Sequence, residues 1–217
     1  MRILVIRHAE AAPPCPPLLE DPPLSAAGRF QAARLAVSLR AYKSDRVVCS
    51  SMQRAMETAR PLAQVLDAPL VRESDLVEIA MGALAPWGPD EQREWASITA
   101  RWQVGEFDAA CPGGESLNDV IRRVRPVVTR LVADPCDYGF ALVAHAVVNG
   151  VVLSTLCRDL RSALGADLGH SHASVWELEG HGLDFRVVGR NDVSHLEGEA
   201  SHGTRGRPRH SVADTPV

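Results

Sequence analysis

The chain is poor in several things at once. Lys43 is the only lysine among 23 cationic side chains, a skew that reads as genome composition rather than function. Aromatic residues make up 5% of the 217 positions, so a core has to be built from Leu, Val and Ala. There is no excess of positive charge: the formal net charge is −4, which excludes a strongly basic nucleic-acid binder though not a local basic pocket. No apolar run approaches the length of about 20 residues needed to cross a bilayer. The first apolar run, Ile3-Leu4-Val5-Ile6, stops at Arg7-His8, too short for a signal-peptide core and without a small-residue cleavage site behind it. Five cysteines (Cys15, Cys49, Cys111, Cys136, Cys157) are odd in number, widely spaced and free of any CxxC pair, which argues against a disulfide framework or a zinc site. The expectation is a reduced, cytoplasmic protein with neither membrane nor nucleic acid as partner. With 46% hydrophobic and 23% charged residues, the composition is globular, with room for one domain or one domain carrying an inserted cap.

Hydrophobic patterning gives the elements. Residues 2–6 are apolar and β-branched, as a buried strand requires. Six prolines between 11 and 23 predict a stiff loop. Ser25 is placed to cap a helix running to about residue 41. Residues 46–49 predict a second strand, followed by Ser50-Ser51 as cap and a helix over 52–66 that Pro61 should kink or break. Residues 69–72 make a weak third strand. The stretch 80–112 is poorly patterned apart from a helix near 91–102, where Trp95, Ile98 and Trp102 share one face; the two tryptophans are expected in the core. Ser116 should cap a helix over 117–132. Residues 140–144 are the most apolar strand, with a helix or apolar turn after His145, and 173–178 with 184–188 alternate as a hairpin. Strands alternating with helices predict an α/β fold, a three-layer α/β/α sandwich with a mainly parallel sheet and an antiparallel edge strand. It should occupy 1–196, with 80–112 as a cap or substrate segment, leaving 197–217 as a disordered tail.

Two of these strands end in histidine, His8 and His145. Ligands of parallel α/β sheets collect at the carboxyl ends of strands, so two imidazoles would meet in one crevice if the strands are neighbours. Arg7 adjoins the first histidine. Arg54 falls in the first turn of the helix after the second strand, where backbone N–H groups add to its charge. Two His and two Arg at one sheet end suit a tetrahedral dianion. Each alone is commonly a satisfied structural residue; the conjunction carries the reading.

At this point the residues resemble a known family. Arg7-His8-Ala9-Glu10 looks like the Arg-His-Gly-Glu signature of the histidine phosphatase (phosphoglycerate mutase-like) superfamily. Five further blocks follow in order: Pro23-Leu24-Ser25 with Gly28, Gln31 and Ala32; Ser50-Ser51 with Arg54, Ala55, Thr58 and Ala59; Pro112-Gly113-Gly114-Glu115-Ser116; Val143-Ala144-His145; and Asn191-Asp192 with His195 and Leu196. Six ordered blocks spanning about residues 2–196 make the resemblance specific. It implies a phosphomonoesterase in which His8 takes the phosphoryl group, Arg7, Arg54 and His145 bind it, and no metal or cofactor is needed. It also implies an acid for the leaving group. Leu76-Val77-Glu78-Ile79 with Gly82 resembles the segment that carries it, so Glu78 is preferred over Asp75 and Glu73, its apolar neighbours favouring a raised pKa. Glu10 is read as structural.

Some positions depart from the family pattern. Ala9 stands where Gly is commoner, and Ala11-Ala12-Pro13-Pro14 holds no Asn where many members place a phosphate contact. Ala11-Ala12 also resembles the small phosphohistidine phosphatases, which lack the acid segment and the Pro-Gly-Gly-Glu-Ser block. Trp87, in a turn, is a candidate substrate contact. His170 and His172 read as turn residues rather than a metal pair, Gln31 as a helix-surface residue and Ser116 as a cap. Substrates implied are small phosphomonoesters: sugar phosphates, phosphoglycerate or α-ribazole phosphate. A phosphoglycerate-type mutase is the alternative, disfavoured by the short gap between Glu78 and Pro112; a weak phospho-ligand or protein-binding module is a third reading. A homodimer is an open expectation, since two-fold dimers are the commonest closed assemblies.

Overall fold

The computed structural model describes residues 1–13, 21–84, 88–165 and 168–197. Trp87, most of the proline-rich loop and the tail expected to be disordered lie outside the described residues. Six strands form one sheet in the order β3-β2-β4-β1-β5-β6: β1 (Arg2–Arg7), β2 (Arg46–Ser50), β3 (Leu70–Glu73), β4 (Gly139–Ala144), β5 (Val175–His181) and β6 (Asp184–Asp192). The first four in space, β3, β2, β4 and β1, run parallel. β5 and β6 add an antiparallel pair at the β1 edge.

Alternation along the strands sends side chains to two cores. Ile3, Val5, Val48, Phe140 and Leu142 face one layer; Leu4, Ile6, Val47, Cys49, Ala141 and Val143 face the other. Helices α1 (Ala26–Ser38) and α2 (Gln53–Leu66) cover the second face. Helices α3 (Pro89–Gln103), α4 (Leu117–Ala133) and α5 (Ala146–Leu156) cover the first. The protein is therefore a three-layer α/β/α sandwich with the expected mixed sheet. Both faces of β1 and β4 are dry, and each fully buried Leu or Ile there contributes about 1.5–3 kcal/mol of transfer free energy.

The termini of the helices show where local chemistry decided. Ser25 accepts from the Gly28 N–H at 2.8 Å and starts α1. Ser116 and Asp119 form a reciprocal capping box on α4. α2 departs from expectation. Its N-cap is Met52, without a side-chain cap, and the first amide, Gln53 N–H, is taken by the Asp21 carboxylate at 2.8–2.9 Å. Ser50 stays in β2 and turns to other work. Pro61 does not end α2, which continues to Leu66. In the hairpin, β5 runs on to His181, so the turn is Gly182-Leu183, with Gly182 at φ +55°.

Candidate active site

β1 and β4 are parallel neighbours in a register that sets Arg7 opposite Ala144. The next residue of each strand is a histidine, and the His8 N–H still donates to the Ala144 carbonyl at 2.9 Å. The two imidazoles end 5.1 Å apart between ring centroids. Both are buried, His8 at 6% exposure and His145 at 0%.

The hydrogen bonds around His8 define its tautomer. Nδ1 lies 2.7 Å from the Ala9 carbonyl oxygen, which can only accept, so Nδ1 carries the proton. Arg54 Nε–H donates to Nε2 at 3.2 Å, so Nε2 holds the lone pair. Burial above all, then the Arg54 and Arg7 charges, hold His8 well below the ordinary histidine value, against the pull of the Ala9 bond. A neutral imidazole with its Nε2 lone pair toward a guanidinium has the form that a nucleophile requires.

His145 is set by a relay. The Met52 N–H donates to Ser50 Oγ at 3.2 Å, and Ser50 Oγ meets His145 Nε2 at 2.9 Å. The buried Nδ1 of His145 has no hydrogen-bond partner among the described residues. In the tautomer where Ser50 Oγ donates to Nε2, Nδ1–H is a spare donor. Burial first, then His8, Arg54 and Arg7, keep His145 well below the ordinary value, hence neutral. A buried donor of this kind beside His8 could be completed by an anion oxygen.

The block around Arg54 explains itself in the same terms. Arg54 sits in the first turn of α2, 9% exposed, with Asp21 at 3.5 Å. One turn on, Thr58 Oγ1 accepts from the Ala9 N–H at 3.0 Å and donates to the Arg54 carbonyl at 2.8 Å. Thr58 therefore ties the loop after His8 to the helix carrying Arg54. Gly28 and Gln31 hold the same loop. A Cβ on Gly28 would meet the Glu10 carbonyl oxygen at 1.9 Å, and Gln31 Oε1 accepts from the Glu10 N–H at 2.9 Å. Gln31 is thus a loop anchor rather than a helix-surface residue. The Glu10 carboxylate accepts from Ser25 Oγ at 2.5 Å.

Glu78 lies in the loop after a 3₁₀ turn at Ser74–Leu76. With Arg7 it lines one wall of a cavity of about 770 Å³. Burial pushes its carboxyl up, while the Ile79 N–H at 3.0 Å and the Arg54 charge oppose the rise. The Pro-Gly-Gly-Glu-Ser block builds the support for this loop. Glu115 Oε2 accepts from the Ala80 N–H at 2.9 Å. A Cβ on Gly114 would sit 2.7 Å from the Ala80 carbonyl oxygen.

His172 is the site residue that sequence reading missed. Its ring lies 5.5 Å from that of His8. The loop before β5 continues the antiparallel pairing with β1: the Arg7 N–H donates to the Ser174 carbonyl and the Ala173 N–H to the His8 carbonyl, both at 3.2 Å. Ala173 is buried at φ +57°, a strained conformation for a residue with a Cβ. The signal was present in the hairpin: a strand paired antiparallel to β1 must deliver its preceding loop to the end of β1. Burial first, then Arg7, lower the His172 pKa, against Glu10. His170 contributes its carbonyl, which accepts from Arg7 at 2.5 Å. Trp95 and Trp102, expected in the core, also form the cavity wall.

Comparison with known proteins agrees with this geometry. A curated relative from Salmonella paratyphi C, named "Probable phosphoglycerate mutase GpmB", is 28% identical over 92% of this chain and 97% of its own. Among solved structures, mycobacterial glucosyl-3-phosphoglycerate phosphatase with inorganic phosphate superposes with a TM-score of 0.74 at 26% identity, covering 90% of this chain and 99% of that one. Bacillus stearothermophilus YhfR gives 0.71 at 28% identity, covering 90% and 99%. The model of the histidine phosphatase superfamily (branch 1) matches residues 3–193. The chain belongs to the histidine phosphatase superfamily.

Proposed function

We propose that the chain is a metal-independent phosphomonoesterase that works through a phosphohistidine on His8 Nε2. The observation that supports this most is the His8 tautomer: a proton held on Nδ1 by Ala9 and a lone pair on Nε2 facing Arg54. As the ester binds, Arg54 moves its donor from Nε2 to a phosphoryl oxygen, freeing the lone pair for in-line attack. Arg7, Arg54 and His145 Nδ1–H then share the charge of the transferring group. The cation pair supplies what a metal would otherwise supply.

His172, lying across His8 from a position to meet the same phosphoryl group, takes the place of the Asn that the loop after the signature lacks. Glu78, whose carboxyl burial pushes up, gives its proton to the departing alkoxide. Water, activated by the resulting Glu78 carboxylate, releases phosphate from His8 and restores the acid.

A mutase reading is favoured by the name of the Salmonella relative. It asks for a second anion site to keep a bisphosphate bound between half-reactions, and the cavity beside Glu78 is lined mostly by apolar side chains. Hydrolysis is therefore the reading preferred here. Inorganic phosphate release from a phosphomonoester in EDTA tests it: release that vanishes in His8→Ala supports it, and isomerisation of 3-phosphoglycerate without release overturns it.

A further inference from the structure

The cavity that opens beside Arg7 and Glu78 has a chemistry of its own. Ile79, Met81, Trp95, Val147, Val151 and Leu168 give it apolar walls. The helix α3 contributes one continuous face to it, and its two tryptophans stand edge to face, 5.2 Å apart at 89°. The Trp102 N–H is already donated to the Ala109 carbonyl at 2.9 Å, so the indole presents carbon. A volume of about 770 Å³ is that of a small-molecule site with room well beyond a phosphate.

Charge is scarce there. Among the described residues lining the cavity, the ionisable side chains are Arg7, Glu78 and His170. Arg7 lies beside His8 at the phosphoryl end. Of the cations on neighbouring elements, Arg101 pairs with Glu106 at 2.7 Å, Arg123 pairs with Glu115 at 2.8 Å, and Arg190 lies over the Trp176 ring. Residues 14–20, 85–87 and 166–167 contain no Lys, Arg or His. Of the neutral polar groups, Thr99 Oγ1 bonds the Trp95 carbonyl and Ser171 bonds Asn191, and Gln103 at the end of α3 adds an amide but no charge. A carboxylate or second phosphate on the leaving group would sit against indole and aliphatic carbon without a counter-charge, beside an acid. A flat apolar body would instead bury its surface against the tryptophans.

From this we infer that the substrate is a phosphomonoester of an uncharged alcohol with a flat, largely apolar body, packed against Trp95 and Trp102, and not an ester bearing a carboxylate or a second phosphate. The inference rests on the phosphomonoesterase reading above and names its substrate class.

The test compares four primary alkyl esters on the full-length chain, matched at phosphorus and differing in the alcohol: 2-(1-naphthyl)ethyl phosphate, benzyl phosphate, glucose 6-phosphate and 3-phosphoglycerate. The naphthyl ester should exceed the last two in kcat/KM by about tenfold or more, equivalent to about 1.4 kcal/mol. Trp95→Ala should erase most of that preference. Gly150 lines the same cavity, and a Cβ built on it faces open space, so Gly150→Leu fills the cavity and should depress the naphthyl ester more than the benzyl ester. His8-dependent release with 3-phosphoglycerate or glucose 6-phosphate preferred would overturn the substrate class and leave the phosphatase standing; that outcome would include a contribution from Arg205, Arg207 or Arg209 of the tail. No His8-dependent release from any ester would overturn both.

Discussion

Arg123 grips both carboxylate oxygens of Glu115 at 2.8 Å, and the pair clamps the loop that carries Glu78. The remaining Arg123 nitrogen donates to the Asp75 and Val77 carbonyls at 2.7 and 2.8 Å, and Glu115 accepts from Ala80. Glu78 therefore sits between two backbone points, one held by Arg123 of α4 and the other by Glu115 just before that helix. Arg123→Met removes the clamp and leaves Glu115 without its counter-charge. Losing a charge-assisted hydrogen bond of this kind costs about 1.5–3 kcal/mol of stability. The phosphorylation step with alkyl esters should slow about tenfold while that step with aryl esters, which leave without a proton, changes little. Single-turnover kinetics on the two ester types, with thermal unfolding as control, separates loss of positioning from loss of fold.

Glu78→Gln should show the same selectivity in stronger form. An alkoxide leaving group needs the proton, so kcat on alkyl esters should drop by about 10²–10⁴-fold, while a nitrophenyl ester loses far less in the phosphorylation step. Because burial raises the Glu78 carboxyl, the wild-type rate on alkyl esters should fall as pH rises through that raised value. The Gln variant should lack that limb. Equal slowing of both esters in the phosphorylation step, read by single-turnover kinetics, would move the acid to another residue.

His172→Ala leaves His8 and both arginines in place. If the third imidazole contacts the phosphoryl group, inhibition by inorganic phosphate or vanadate should weaken by about tenfold, the size of one charge-assisted hydrogen bond. Unchanged inhibition would make His172 a wall residue only.

Stability should fall on the acid side in a window set by these imidazoles. His8, His145 and His172 are all depressed, with burial the largest cause in each. The unfolded chain takes up protons near its ordinary value of about 6.5, while the native site stays neutral. The unfolded state then binds more protons, so stability is present above about 6.5 and is lost as pH falls below it. Glu78 works in the opposite sense: its raised folded value contributes stability at low pH that is lost as pH rises through it. With His195 also lowered by burial, four depressed histidines against one raised carboxyl predict a net fall in Tm between pH 7.5 and 5.5. His8→Asn should flatten that fall, as read by unfolding scans across the range.

Much of this arrangement could be read from the chain, because it depends on short-range pattern. Two apolar strands ending in histidine, a capping serine before Gly28, and an arginine one turn into the next helix are local signals, and parallel pairing of β1 with β4 does the rest. What escaped was set by distant partners. His172 comes to His8 through antiparallel pairing of β5 with β1, across more than 160 positions. Asp21 reaches the start of α2 from a proline-rich loop, so Ser50 is released from capping and holds His145 instead. Gln31 turns inward to the Glu10 backbone, a contact that helical periodicity does not reveal. Trp95 and Trp102 were legible as one helix face, but a periodic pattern does not distinguish a face against a core from a face against a cavity.

The central claim is a phosphoryl group on His8, and trapping it is the most direct test. A ³²P-labelled aryl ester would be mixed with the chain in EDTA, quenched in alkali within one turnover, and the labelled peptide mapped. The account predicts an alkali-stable, acid-labile label on His8, absent from His8→Ala. Label on another side chain, or phosphate release from His8→Ala at the wild-type rate, would contradict it.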